Sequence, residues 1–384
     1  MAGIYIHIPF CKSRCKYCDF YSTTLLQLRD EYTEALTAEL ECRTDYLHKD
    51  TLSQTSDQEP QNTNRISTIY FGGGTPSLLR ASQIEQILQK IRELFEVENE
   101  AEITIEANPG DLNAEYLHQL VEAGVNRLSI GIQSFNNEYL RLLGRRHTAQ
   151  EAKEAVRAAR EAGFDNISID LIYGIPGQSL QDWQDELRQA ISLNIEHIST
   201  YCLTYEEGTE MSRMLQKGEI KAVDDDTENE MYATMVNMLK DNGFEHYEVS
   251  NFALPGYRSQ HNSSYWNNTP YLGTGAAAHS YDGEARQWNI SDIREYIRQA
   301  KAHCLQPERE VLSERDKYNE RVMLSLRTAE GTDLSKLTNE EQTYCLRQAQ
   351  PYIDNKQLTL ADNRLVATMS GINILNLITE KLMK

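Results

Sequence analysis

The strongest constraint on the fold is a repeated unit: a short β-patterned apolar run, a turn rich in glycine or polar residues, then a helical period. The runs are Ile4–Ile8, Ile66–Phe71, Glu102–Glu106, Arg127–Gln133, Ile167–Gly174 and Glu196–Leu203. Helical spacing covers Asp30–Tyr46, Ser82–Phe95 and Asp225–Asn242, with a shorter stretch at Leu140–Leu143. Strands that alternate with helices pair in parallel, and parallel βαβ units gather ligands at the carboxyl edge of their sheet. At that edge the sequence supplies Gly72-Gly73-Gly74-Thr75-Pro76, Ala107-Asn108-Pro109-Gly110, Ser134-Phe135 and Ile175-Pro176-Gly177, while Asp170 lies within the fifth run. Each of these polar residues alone would serve equally well as a helix cap or a surface group; together they point to one edge.

Directly after the first run, Cys11, Cys15 and Cys18 stand with three and then two residues between them. Thiols gathered so tightly are ligands far more often than packing groups. Structural zinc requires four closed ligands, and no fourth cysteine or histidine lies in the run; an iron-sulfur cube can be held by three thiolates, which leaves one iron open. The remaining cysteines, Cys42, Cys202, Cys304 and Cys345, are scattered, and the total of seven is odd. That pattern suits a reducing compartment rather than a disulfide framework. The glycines at 72–74 free the backbone to curve around a ligand, although a tight turn would also account for them, and the lysine of a phosphate-binding loop is missing.

At 384 residues the chain is long enough for one large α/β domain and a small one. Its net charge of -20 argues against a nucleic-acid partner, since duplex binding depends on Lys and Arg neutralising phosphates. No apolar run is long enough to span a bilayer, and Pro9 and Cys11 interrupt the place a signal peptide would need, so the expected location is cytoplasmic. The polar stretch between Lys49 and Asn64 lacks apolar periodicity and reads as a surface loop.

The cysteine spacing with its aromatic neighbours in Tyr5–Phe20 closely resembles the signature of the radical S-adenosylmethionine (SAM) superfamily. With Gly72–Pro76, Gly131–Phe135 and Ile169–Gly177, the likeness narrows to its oxygen-independent coproporphyrinogen III oxidase-like branch and extends over nearly the whole chain. The resemblance implies an incomplete parallel (β/α)6 barrel. It implies a 4Fe-4S cluster on Cys11, Cys15 and Cys18, and SAM chelated to the open iron, where an electron from the reduced cluster cleaves it. By the same resemblance, Tyr5, Tyr17, Gly73, Gly74, Thr75, Glu106, Gln133, Arg145, Asp170, Thr204 and His279 contact SAM. Arg145 or Arg146 could neutralise the SAM carboxylate through a planar guanidinium, and the resemblance selects Arg145; a solvated helix end is the plainer use of such a pair.

Within that branch the oxidase members carry a further cysteine where this chain has Phe20, and a substantial extension ahead of the cysteine loop, whereas here the first strand begins almost at Met1. His261-Asn262-Ser263-Ser264-Tyr265-Trp266 reproduces the His-Asn-x-x-Tyr-Trp motif of the heme-chaperone members. Physically, the His261 imidazole can ligate heme iron while Tyr265 and Trp266 offer flat surface to a porphyrin. The same residues could instead form a hydrogen-bonded turn packed on the barrel rim. His7 reads as a supporting residue, and His279 as one that closes the SAM pocket beside Gly273 and Gly275.

After about Ala302 the pattern changes. Glu314–Leu326, Asn339–Gln350 and Ser370–Met383 read as helices, and Leu358–Leu360 with Arg364–Ala367 as a hairpin, together a small winged-helix-like domain. The expected division is 1–210 for the core barrel, 211–302 for an extension with the histidine motif, and 303–384 for the helical domain. The expected function is a heme chaperone that carries heme as cargo to respiratory proteins, with no membrane span, and with room for transient membrane association and for a homodimer. The alternatives are a coproporphyrinogen III oxidase, producing protoporphyrinogen IX, and a zinc-stabilised interaction protein. The last would need a fourth ligand near Cys18 and leaves the glycine run without a role.

Overall fold

The computed structural model describes residues 2–47 and 65–384, so the stretch expected to be a surface loop, Lys49–Asn64, lies outside the described residues. Its frame is a sheet whose parallel core is β1 (Ala2–Ile8), β2 (Arg65–Gly73), β3 (Glu96–Ala107), β4 (Arg127–Gln133), β5 (Ile167–Tyr173) and β6 (His197–Cys202), paired in that order. These are the six runs of the sequence, with β3 reaching back to Glu96. Beyond β6 come β7 (Glu245–Glu248) and β8 (Asn251–Ala253), with β8 antiparallel to β6. On the other side lies β9 (Tyr271–Thr274), which joins β1 in parallel, followed by the antiparallel β10 (His279–Tyr281), β11 (Ala285–Trp288) and β12 (Glu308–Val311). Among the described residues β7 and β12 do not pair with each other, so the barrel stays open.

Alternation along each strand decides which face is oiled and which is wet. On β1, Ile4, Ile6 and Ile8 are fully buried, in a core shared with Leu36 and Leu40 of the helix Arg29–Cys42 and with Ile84, Ile87 and Ile91 of the helix Ala81–Leu94. Inward instead stand polar groups two residues apart: Thr68 and Tyr70 on β2, Glu102, Thr104 and Glu106 on β3, Arg127 and Ser129 on β4, Ser168 and Asp170 on β5, His197 and Ser199 on β6. A parallel strand covered on both faces is normally apolar throughout. These are not, because their inner face lines a lumen.

The C-terminal part has its own core around Tyr318, Val322, Cys345, Leu358, Leu365 and Ile378. Its helices Glu314–Ser325 and Asn339–Asp354 accompany a three-stranded sheet built from Thr332–Asp333, Leu358–Ala361 and Arg364–Ala367, which gives the winged-helix-like shape. The helix expected at Ser370–Met383 is broken into Met369–Ile372 and Leu375–Leu382, with Asn373 and Ile374 outside both. This part bridges the barrel's open seam. On the β11 side, Arg286 makes a paired contact with Glu320 at 2.6 and 2.8 Å, and Lys317 reaches Glu284 at 2.5 Å. On the β7 side, the Val249 N–H donates to the Arg327 carbonyl at 2.9 Å and the Ala329 N–H to the Tyr247 carbonyl at 3.0 Å.

One buried carboxylate ties the first helix to the β9–β10 turn. Glu39 is fully buried and accepts from the Gly275 N–H at 2.8 Å, the Asn289 amide at 2.7 Å and the Tyr296 hydroxyl at 2.6 Å, with Arg43 at 3.3 Å. Burial pushes its pKa up, and Arg43 and these donors work against that. Glu39→Ala strands a cation and three donors, so it should cost about 3 kcal/mol, while Glu39→Gln should cost less because it keeps part of the network. Equal denaturant midpoints for wild type and Glu39→Ala would show that the network contributes nothing.

Candidate functional site

At the carboxyl edge of the parallel strands the sheet opens into a cavity of about 530 Å³. The cysteine loop forms one wall, and its stems are tied together: the Thr23 N–H donates to the Pro9 carbonyl at 2.7 Å and the Cys11 N–H to the Thr23 carbonyl at 2.9 Å. Its middle is docked on neighbouring helices, with the Lys16 N–H on the Leu143 carbonyl at 3.0 Å and the Met211 N–H on the Lys16 carbonyl at 2.9 Å. A loop pinned this way presents Cys11, Cys15, Cys18 and Tyr17 together to the cavity. Burial pushes the Cys11 thiol up and the Cys18 thiol up to about 11, so metal binding there must displace protons.

The glycine run forms the adjoining wall as bare backbone. The Gly74 N–H donates to the Ile8 carbonyl at 2.9 Å, extending the β1–β2 ladder past the end of β2. A Cβ on Gly74 would lie 2.8 Å from the Phe10 oxygen and 2.9 Å from the Pro9 carbonyl carbon, and Gly73 has φ +110 with the His7 ring where a Cβ would go. Glycine is therefore required by close approach at one position and by conformation at the other. Thr75 Oγ1 lies 3.6 Å from Cys11 Sγ, joining the two walls.

The floor is charged. Glu106 accepts from the Gly73 N–H at 3.1 Å and from the Tyr70 hydroxyl at 2.8 Å, and burial, helped by nearby Asp170, lifts its pKa to about 7. Asp170 is also raised by burial, opposed by Ser199, Arg127 and Ser129. Arg145 donates to Cys15 Sγ at 3.3 Å and to the Gly131 carbonyl at 2.5 Å, while its buried Nε has no partner in the chain. Gln133 and Thr204 complete the lining from the ends of β4 and β6, Gln133 with φ 70. Three thiols on one wall, a cradle that only backbone can fill, and an arginine with an unused buried donor fit a three-cysteine cluster beside a ligand that carries both a carboxylate and a cationic group.

Two expected SAM contacts stand apart from this cavity. Tyr5 points into the lumen below it, with its hydroxyl 3.0 Å from His7 Nδ1 and its ring stacked on Tyr70. His279 lies on β10, with its backbone pressed so closely on Gly273 that a Cβ there would meet the His279 oxygen at 1.8 Å; its ring stacks on Trp288 at 5.9 Å instead of closing the pocket. Tyr70 and Tyr201, which sequence reasoning passed over, do belong here: Tyr70 braces Glu106, and Tyr201 lines the cavity with 44% of its surface exposed. The signal for both was the polar residue at every second strand position.

The histidine motif lies at the opposite end of the barrel, on the helix Gln260–Trp266. The Gln260 and His261 N–H groups donate to the two oxygens of buried Glu102 at 3.0 and 3.1 Å. His261 is 0% exposed; its Nδ1 lies 2.8 Å from Thr68 Oγ1 and its Nε2 2.9 Å from the Tyr265 hydroxyl. Burial, with Arg127 adding to it, lowers its pKa to about 3, so the ring is neutral. Of the packed-turn and iron-ligand alternatives, this geometry matches the packed one. Of the expected heme residues, Trp266 borders a cavity of about 850 Å³ shared with the 281–284 turn and the C-terminal part, and its buried Nε1 has no partner.

Comparison with known proteins agrees with this architecture. The radical SAM superfamily model matches residues 5–190 and the HemN C-terminal domain model residues 312–374. The chain is 36% identical over 383 residues to the heme chaperone HemW of Lactococcus lactis, covering 98% of this chain and 96% of that one. It is 36% identical over 344 residues to HemW of Bacillus subtilis, covering 88% and 87%. Among solved structures it is similar to coproporphyrinogen III oxidase (HemN) from Escherichia coli, with a TM-score of 0.82, 23% identity, and coverage of 100% of this chain and 90% of that one, a likeness of fold. The chain is thus a radical SAM protein and belongs to the HemW heme chaperone family.

Proposed function

We propose that this protein is a heme chaperone built on a radical SAM core, binding heme as cargo and delivering it to respiratory proteins in the cytoplasm. The observation that carries the reading is the 36% identity to a heme chaperone along nearly the whole chain. The exposed Phe20, at 65%, supports it, since the oxidase members of the branch are expected to have a cysteine there. No described helix is long and apolar enough to cross a membrane, and all seven cysteines are unpaired, which supports a reducing location.

In this reading Cys11, Cys15 and Cys18 hold the cluster, Gly73, Gly74 and Thr75 offer backbone and hydroxyl to the amino end of SAM, and Arg145 pairs with its carboxylate. Tyr17, Gln133, Glu106, Asp170 and Thr204 shape the rest of the pocket. Bound there, the cluster and SAM supply one-electron chemistry at the cofactor's sulfonium. The chain's own part is to orient: Glu106 fixes the Gly73 amide, and Arg145 lies against the Cys15 sulfur while leaving Nε for an anion. Heme contact is assigned to Trp266 and the cavity it borders, with Tyr265 behind it; His261 reaches an iron only by giving up a bond it already makes.

Three outcomes are expected. Cys11→Ala, Cys15→Ala and Cys18→Ala should each abolish the cluster's visible absorbance after anaerobic reconstitution, while Cys42→Ala and Cys202→Ala keep it; loss of the cluster in Cys202→Ala, whose sulfur borders the same cavity, would reassign the ligands. Gly74→Val and Asp170→Ala should weaken SAM binding about tenfold or more in isothermal titration with the cluster still assembled. Reconstituted protein should bind heme with a shifted Soret band and form no protoporphyrinogen from coproporphyrinogen III under reducing, anaerobic conditions. Turnover would instead favour the oxidase, which keeps a claim because the cofactor cavity is complete.

A further inference from the structure

The histidine motif and the cofactor cavity occupy opposite ends of the lumen, yet a continuous line of buried contacts joins them. His261 hydrogen-bonds Thr68 and stacks on Tyr70, two residues further along β2, with ring centroids 5.0 Å apart and planes 23° apart. The Tyr70 hydroxyl donates to one oxygen of Glu106 at 2.8 Å, and the other Glu106 oxygen accepts the Gly73 N–H at 3.1 Å. Tyr5 flanks the same stack, 6.3 Å from Tyr70 and 6.4 Å from His261. Tyr265, His261, Tyr70 and Glu106 thus form one line of contacts that ends at the bare backbone of Gly73.

No iron fits against His261 as it stands. Its two ring nitrogens face Thr68 and Tyr265, and a mere Cβ on Gly3 would lie 3.2 Å from the ring and 2.8 Å from Thr68 Oγ1. A metal at Nδ1 would have to part β1 from β2; one at Nε2 would have to expel Tyr265. Both positions lie in a packed interior, where there is no slack for a macrocycle. Glu102 fixes the helix from below through both of its oxygens, so the ring is held at a set height against Tyr70.

We infer that His261 and Tyr70 are positioning residues for the SAM site: the motif helix props Tyr70, Tyr70 sets Glu106, and Glu106, by accepting the Gly73 N–H, fixes the glycine backbone that borders the cofactor cavity. The histidine of the motif thus serves the cofactor end of the barrel, and heme is held by other groups. This rests on the reading that the glycine run receives SAM.

The test uses the full chain with its cluster reconstituted, comparing wild type, Tyr70→Phe, His261→Asn and Gly74→Val. SAM affinity is read by isothermal titration, SAM contact with the cluster by the change in the reduced cluster's electron paramagnetic resonance, and the heme complex by its absorption spectrum. Tyr70→Phe, which removes one hydroxyl, should keep a full cluster, bind SAM about fivefold more weakly and show an altered SAM-induced resonance. His261→Asn should weaken SAM binding by a similar factor and leave the Soret position of the heme complex where it is in wild type. The inference is overturned if Tyr70→Phe and His261→Asn bind SAM like wild type while Gly74→Val does not. It is equally overturned if the Soret band of His261→Asn moves to that of a complex lacking an imidazole ligand. If Gly74→Val also binds SAM normally, the placement of the cofactor fails and the inference falls with it. Should His261→Asn not fold, Tyr70→Phe decides the matter alone.

Discussion

An open barrel of parallel strands leaves the amino ends of those strands facing a polar lumen, and something must close it; here the closure depends on Glu102. Its carboxylate, buried in the wall, takes the two leading N–H groups of the Gln260–Trp266 helix and lies 3.9 Å from the equally buried Arg127 guanidinium. A carboxylate suits the N-terminus of a helix, where unsatisfied amides carry partial positive charge. The same group lies beside the Arg127 guanidinium, which would otherwise stand as an uncompensated buried charge. Remove it and the helix loses its seat, His261 its height and Arg127 its counter-ion.

The two ends of the lumen solve opposite problems. At the amino end the two buried histidines are each satisfied on both sides: His197 bridges Ser168 and Tyr247 at 2.7 Å on each side, much as His261 bridges Thr68 and Tyr265. At the carboxyl end, side chains are withheld at Gly73 and Gly74 and the polar groups are left with spare capacity, as at Arg145 Nε. A satisfied network rigidifies, and an unsatisfied one waits for a ligand. The boundary between the two runs through Tyr70 and Glu106.

The sequence already contained the cysteine loop, the six parallel strands and most of the cavity, because each depends on spacing within a few residues. Arg127–Gln133 and Arg364–Ala367 have the expected bounds, and Asp170 stands with Glu106, Gln133 and Thr204 on one cavity because strand alternation and edge position fix where such residues point. What was not legible depends on distant partners. Nothing in the four residues of β9 announces a parallel place beside β1, which is set by a pairing some 268 positions away at Gly3↔Tyr271. His261 stayed open between an iron ligand and a hydrogen-bonded turn because its partner Thr68 is 193 positions distant. His279 was misplaced for the same reason: the turn through Gly275 and the pressure of its backbone on Gly273 orient the ring toward Trp288.

Among the described residues the seam between β7 and β12 carries no ladder hydrogen bonds, and its span is held instead by a strut from another part of the chain. The anchors are Glu320, in the middle of the helix Glu314–Ser325, and Arg327, two residues past its end. The girth of the barrel is therefore calibrated by a ruler with fixed graduations rather than by strand registry. A single residue inserted within the helix after Glu320 would displace the later anchor by about 1.5 Å and rotate it by about 100°, so the spacing across the seam changes in discrete steps, set by a segment that also lines the cavity beside Trp266.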